Sequence, residues 1–63
     1  MKKINYRNYT IEIKYSDEDA VYYPYITDED NEEIYDGLDT DFCMTEDEAI
    51  DVAKEFIEDM LNF

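Results

Sequence analysis

The sequence predicts a two-layer α+β domain, in which one C-terminal helix covers one face of a three-stranded antiparallel sheet in the order β-β-β-α. Two patterns predict it. Apolar and polar residues alternate over residues 9–15, which is the period of a half-buried strand. A helical repeat of apolar residues follows a capping motif at Thr45. With 63 residues, the chain is expected to form a single domain, 1–63, with a thin core.

The first two predicted strands are residues 9–15 and 20–27. In the first strand the alternating apolar residues are Tyr9, Ile11, Ile13 and Tyr15, which we expect to pack in the core. The polar residues 16–19 form the turn that follows. Within the second strand Pro24 has no N–H to donate, so we expect this strand to lie at a sheet edge or to bulge there.

The third predicted strand, residues 34–44, is interrupted by Asp36 and Gly37. We favour a bulge at this pair over a tight turn, because a turn would leave only residues 32–35 as a strand. The single cysteine, Cys43, cannot form an intramolecular disulfide and is expected to be a small buried apolar residue. A lone cysteine also favours a reducing compartment, so we expect the protein in the cytoplasm.

The helix is predicted from Thr45 almost to the end of the chain. Thr45 is a good N-cap, and Glu48 three residues later completes a capping box. One face then collects the apolar residues Ala49, Ile50, Val52, Ala53, Phe56, Ile57, Met60 and Leu61.

Charge excludes several classes of function. The chain has 19 acidic and 5 basic residues and no histidine, for a net charge of −14. It has no basic patch for nucleic acid, and without histidine we expect no transition-metal site, no histidine-based catalysis and no cofactor. No apolar run approaches the ~20 residues that span a bilayer. Four of the five bases lie in the first 14 residues, so the charged residues that follow are almost all acidic.

The acidic residues are predicted to form two partner-binding surfaces. The first surface contains Asp28, Glu29, Asp30, Glu32, Glu33, Asp36, Asp39 and Asp41. The second is a helix row at i, i+4 spacing: Asp47, Asp51, Glu55 and Asp59. Like charges at this spacing destabilise a helix by about 0.2–0.5 kcal/mol per pair, so the row is interpreted as charge retained for a basic partner. The alternative interpretation is that the charge serves solubility alone.

Two other interpretations of the acids are weaker. Asp28, Asp30 and Glu32 begin like a calcium loop, but Glu33 replaces its glycine and Asp39 its bidentate glutamate, so an acidic turn is favoured. Paired carboxylates can also catalyse hydrolysis, yet a chain this short has little room for an apolar cleft, and no enzyme is expected.

Three tyrosines are expected in the partner-binding surface. A single helix covers one face of a sheet, so some of the many tyrosines must be exposed. Exposed tyrosine beside acids is typical of a protein-binding surface. The candidates are Tyr22, Tyr25 and Tyr35.

Residues 9–13 (Tyr-Thr-Ile-Glu-Ile), residues 21–26 (Val-Tyr-Tyr-Pro-Tyr-Ile) and the Thr-x-x-Glu-Ala sequence at 45–49 together resemble the HicB-like antitoxin domain. That resemblance implies a β-β-β-α fold and neutralisation of a small RNA-cleaving toxin. The chain departs from the family in its acidic insertion 28–33, in residues 39–43 and in lacking a C-terminal DNA-binding segment, so no repressor role is expected.

In size and acidity the chain is also similar to phage anti-CRISPR proteins that act as DNA mimics. The leading hypothesis is therefore a non-enzymatic inhibitor that binds the cationic nucleic-acid channel of a bacterial effector, foremost a CRISPR nuclease. The alternatives are a HicB-like antitoxin domain and an acidic interaction module without mimicry. A homodimer formed through an exposed strand edge is left open.

Overall fold

A computed structural model describes residues 2–39 and 42–62, with the backbone alone at Asp39. Its elements are β1 (Lys2–Tyr6), β2 (Tyr9–Ser16), β3 (Val21–Thr27), β4 (Glu33–Asp36), a 3-10 turn (Gly37–Asp39) and α1 (Glu46–Leu61). The strands form one antiparallel sheet in the order β1-β2-β3-β4, and α1 packs on one face of it. The predicted α+β class and C-terminal helix are confirmed, but the predicted count of three strands is wrong, because the sheet has four.

The strand that the sequence pattern did not indicate is β1. It pairs with β2 so that Ile4 lies opposite Ile11, and the two strands are joined by Arg7 and Asn8. Both joining residues have positive φ, 49° and 70°, as a two-residue type I′ hairpin turn requires. Asparagine tolerates this conformation readily, but arginine is an unusual residue there, so the turn carried little signal. The predicted strand 9–15 is confirmed and extends one residue further.

β3 is an interior strand, so the predicted edge position for Pro24 is wrong. Its ladder with β4 ends at Tyr25, and the register shift lies between Ile26 and Thr27 rather than at the proline. On the β4 side of β3, Tyr22 exchanges both backbone hydrogen bonds with Cys43. Pro24 lies between these two paired stretches with its nitrogen on the same side, at the point where no N–H is needed.

The third predicted strand, 34–44, is also corrected. β4 ends at Asp36, and the chain enters the 3-10 turn instead of continuing through a bulge. The Asp36 carboxylate accepts the Leu38 N–H at 3.0 Å, so a short polar side chain stabilises the turn locally. Beyond the turn, Thr40 lies outside the described residues, and Cys43 forms an isolated bridge with Tyr22.

The core lies between the sheet and α1. The side chains fully buried there are Ile11, Ile13, Pro24 and Ile26 from the sheet and Ala49, Ala53 and Ile57 from the helix. Cys43 is buried at the end of this cluster, as predicted. Tyr9 packs against the core, whereas Tyr15 is 45% exposed, so its predicted core position is wrong. None of the polar or charged side chains that the structure describes is buried.

The start of α1 matches the predicted cap. The Thr45 hydroxyl accepts the Glu48 N–H at 3.1 Å, which satisfies one of the donors left over at a helix N-terminus. α1 has 16 residues, and across residues 2–39 and 42–62 no helix has both the length and the apolar character needed to cross a bilayer.

Gly37 is predicted to be required for the close contact between the 3-10 turn and β3. A Cβ at this position would lie 2.7 Å from Pro24 Cδ and 3.1 Å from the Pro24 carbonyl oxygen. Gly37→Ala should therefore lower the free energy of unfolding by about 1–3 kcal/mol, the usual cost of overpacking. Urea unfolding measures this. In a Pro24→Ala background the nearest clash is removed and the same change should cost less; an equal cost in both backgrounds would contradict the contact.

Candidate acidic interface

The helix row, Asp47, Asp51, Glu55 and Asp59, lies on the solvent side of α1. All four residues are exposed, while the opposite side of the helix carries the buried alanines and isoleucines of the core. Among the described residues, none of the four carboxylates forms an ion pair. The predicted row is therefore an uninterrupted line of exposed negative charge along the helix.

Two basic residues near the helix, Arg7 and Lys54, make contacts away from the helix row. Lys54 is the only base in α1, and its ammonium lies 5.3 Å from the centre of the Tyr6 ring on β1. Arg7 Nε contacts Glu58 Oε2 at 2.6 Å, and Tyr6 donates its hydroxyl to the same oxygen at 2.8 Å. The hydrogen bond with Tyr6 and the charge of Glu58 raise the pKa of the Arg7 guanidinium. These contacts tie α1 to β1 and leave the helix row uncompensated.

Negative charge stabilises the first turn of α1 and destabilises the last turn. Glu46, Asp47 and Glu48 lie in the first turn, where negative charge interacts favourably with the helix dipole. The last turn has no basic residue, and Asp59 lies near it with the unfavourable sign. The C-terminal half of the row is therefore the part least explained by helix stability.

Residues 28–32 form the turn between β3 and β4, and Asp28 organises it. One carboxylate oxygen of Asp28 accepts the backbone N–H groups of Asp30 and Glu32, at 2.8 and 3.0 Å. Asn31 adopts a positive φ of 65°, which this residue type tolerates. Asp28 thus has a structural function in the turn.

The other acids predicted for this surface are placed differently from one another. The exposed members are Glu29, Asp30, Glu32, Glu33 and Asp36. Of these, Asp36 also accepts a backbone N–H in the 3-10 turn. Asp39 contributes its backbone to that turn, and Asp41 lies outside the described residues.

The acidic turn lies close to the C-terminal end of α1. A shallow cleft of about 300 Å³ is lined by Leu61 at the end of α1 and by Glu29 and Asp30 of the turn. Arg7 lines the same cleft. The structure thus brings the turn and the C-terminal end of the helix together, with one basic residue between them.

The three candidate tyrosines are on two different faces. Tyr22 and Tyr35 lie on the side covered by α1, where both are partly buried and Tyr35 stacks on Phe56 with ring centres 4.4 Å apart. Tyr25 lies on the opposite, open face of the sheet. There, burial and the neighbouring Glu33 carboxylate raise the pKa of the Tyr25 phenol, and the Lys14 ammonium lies 4.0 Å from the ring centre.

Sequence reasoning missed the rest of the open face. Tyr23 and Val21 share the parity of Tyr25 on β3, and Lys3 on β1 joins Lys14 on β2 on the same side of the sheet. The alternation in residues 20–27 contained the signal for the β3 residues. The position of Lys3 depended on recognising β1.

The described acids are not grouped as metal ligands. Within residues 2–39 and 42–62, no cluster of three or more cysteine, aspartate or glutamate side chains is arranged to hold a metal ion. Comparison of the chain with protein-family models, with curated proteins and with solved structures found no match in any of the three.

Charge removal from the helix row should stabilise the fold. Asp51→Asn combined with Glu55→Gln removes all three i, i+4 repulsions of the row, and the free energy of unfolding should rise by about 1 kcal/mol. Urea unfolding at low ionic strength is the measurement.

Glu58→Gln is the matched control, because it also removes a negative charge from α1. It weakens the contacts with Arg7 and Tyr6, so it should instead lower the free energy of unfolding, by about 0.5–1 kcal/mol. If both helix variants shift stability in the same direction, net charge rather than local geometry governs the effect.

Proposed function

We propose that this protein is a non-enzymatic inhibitor that binds the cationic nucleic-acid channel of a bacterial effector nuclease, with a CRISPR nuclease as the foremost candidate. The observation that carries the proposal is the helix row: four exposed carboxylates on one helix, without an ion-pair partner among the described residues. They are present although their mutual repulsion disfavours the helix. Solubility does not require such a row, since interspersed charge of both signs serves that purpose.

The spacing of the row suits a surface that normally binds a phosphate backbone. Residues four apart on a helix are separated by about 6 Å along its axis, and each carries one negative charge. Arginine and lysine bind carboxylates and phosphates through the same charge-assisted hydrogen bonds. A rigid helix that presents carboxylates at this interval therefore offers a basic channel a substitute for part of a nucleic-acid strand.

The acidic turn lies beside the C-terminal end of the helix. Glu29 and Asp30 share a cleft with Leu61 of α1 and with Arg7, so their exposed carboxylates add negative charge near that end of the helix. The net charge of −14 adds long-range attraction to a basic partner and raises the association rate. The same charge repels nucleic acid, which favours a protein as the partner.

An inhibitor of this kind should exclude DNA from the effector. We expect the protein, added first to a guide-loaded CRISPR nuclease, to prevent DNA binding in a gel-shift assay, and a preformed nuclease–DNA complex to resist it. Equal binding to the free nuclease and to its DNA complex would contradict the proposal. Inhibition of a small basic RNase in a parallel arm, with no effect on the nuclease, would favour the antitoxin alternative instead.

Affinity for the nuclease should fall steeply as salt rises. Exposed charges are screened beyond about 8 Å at physiological ionic strength, so a contact made mainly of carboxylates loses strength with added salt. Isothermal titration calorimetry at 50 and 300 mM NaCl is expected to show a dissociation constant that is at least tenfold larger at the higher salt concentration. An unchanged constant would mean that apolar contacts dominate the binding.

The charges of the helix row should contribute more to nuclease affinity than the same number of exposed charges elsewhere on the chain. We expect Asp51→Asn with Glu55→Gln to weaken nuclease binding by about tenfold or more, through lost charge-assisted hydrogen bonds. The control is Asp17→Asn with Glu18→Gln, which removes two exposed charges from the turn between β2 and β3. Equal losses from the two double variants would contradict the assignment of the row as the contact.

A further inference from the structure

The face of the sheet opposite α1 is covered by none of the elements that the structure describes. On each strand, the residues that alternate with the core residues point to this open face, because successive side chains on a strand lie on opposite sides of the sheet. Its centre on β3 is formed by Val21, Tyr23 and Tyr25, all of which are only partly exposed. The face is thus mixed in character, with aromatic residues in the middle and charged residues on the strands around them.

The charges on this face have an order set by strand pairing. One row across the sheet contains, from β1 to β4, Lys3, Glu12, Tyr25 and Asp36. The row begins with a base and ends with an acid. Between them stand a carboxylate and a phenol, which are an acceptor and a donor of hydrogen bonds.

When this row is turned end to end and placed against a second copy of itself, each member faces a group of complementary chemistry. A two-fold axis that runs parallel to the strands, between β2 and β3, places β1 of one copy over β4 of the other. Lys3 then faces Asp36 of the second copy, and Glu12 faces Tyr25 of the second copy. Each contact occurs twice, as a two-fold interface requires.

The two neighbouring rows fit the same operation. Lys14 on β2 lies directly opposite Tyr23 on β3, so reversal places the ammonium over an aromatic ring of the second copy. In the third row, Asn5 on β1 comes to face Glu33 on β4. In this arrangement, therefore, no two charges of like sign face each other across the interface.

We propose that the open face binds a second copy of this chain, sheet against sheet, around a two-fold axis parallel to β2 and β3. This surface is separate from the helix row, so the inference does not depend on the proposed function. In the dimer the two helices lie on the outer sides, and each acidic row stays exposed. The assembly would present the two acidic rows on opposite sides.

The size of the face sets the expected affinity. The eight residues of β2 span about 27 Å, and four strands about 4.8 Å apart add roughly 14 Å across the sheet. The product, roughly 380 Å² per copy, is below the standard size of a specific interface and corresponds to a weak, transient association. Two chains of net charge −14 also repel each other at long range, so we expect micromolar association that strengthens as salt rises from 50 to 500 mM.

Sedimentation velocity of the full chain, from 5 to 500 μM at both salt concentrations, tests the proposal. Lys3→Glu should weaken dimerisation by about tenfold or more, because it places a glutamate against Asp36 in each of the two symmetric contacts. Lys2→Glu is the matched control: it makes the same charge change at the neighbouring position on β1, whose side chain lies on the other side of the sheet. Asn5→Arg should strengthen the dimer by facing Glu33.

Circular dichroism confirms that each variant is folded before the comparison is made. Dimerisation that is lost in Lys3→Glu, retained in Lys2→Glu and strengthened in Asn5→Arg supports the two-fold arrangement. A chain that stays monomeric throughout the concentration series overturns it. Equal loss in the two lysine variants overturns it as well, since only one of them lies on the open face. Neither negative result bears on nuclease binding by the helix row.

Discussion

The packing of one helix on one face of the sheet determines where every other group in this protein can lie. α1 meets the sheet through the small side chains of Ala49 and Ala53, which allow the helix to come close to Ile11 and Ile26. This contact buries nearly all of the fully enclosed apolar surface, and the elements that the structure describes include no third layer. The acids therefore occupy the outer side of the helix and the turns, and the far side of the sheet is left open.

The distribution of basic residues follows from the same constraint. Near the helix, Arg7 and Lys54 contact Tyr6 and Glu58, so they join α1 to the edge of the sheet on which β1 lies. These contacts stabilise the seam between the two layers and do nothing to offset the helix row. A sequence selected only for a stable helix would place bases at i, i+4 from these acids.

Most of the fold followed from short-range patterns. The period of residues 9–15 and the capping box at Thr45 predicted β2 and α1, because each element satisfies its own local hydrogen-bonding and burial rules. The missed strand, β1, depends on a type I′ turn with arginine in a conformation that this residue seldom adopts. Pro24 does not mark a sheet edge, because a proline is tolerated in an interior strand wherever the neighbouring ladder is interrupted, and the ladder between β3 and β4 ends at Tyr25.

The helix row and the open face were predictable to different degrees, because the first depends on local spacing and the second on strand pairing. The helix row could be read from spacing alone, since residues four apart on a helix share a face whatever the rest of the fold does. The open face of the sheet could not, because its order of charges from Lys3 to Asp36 exists only through the register of three strand pairs. Tyr35 shows the same limit: its parity allowed an exposed position, and only the approach of Phe56 determined its burial.

The two surfaces also differ in what an acidic chain can do with them. The helix row carries charge of one sign, so two copies of it repel, and only a basic partner gains by meeting it. The open face carries both signs in an order that is its own complement, so a copy of the same chain fits it. The row lies on the outer side of α1 and the open face on the far side of the sheet, so the core separates the two surfaces. The chain can therefore bind a basic partner through the row and a second copy through the open face at the same time.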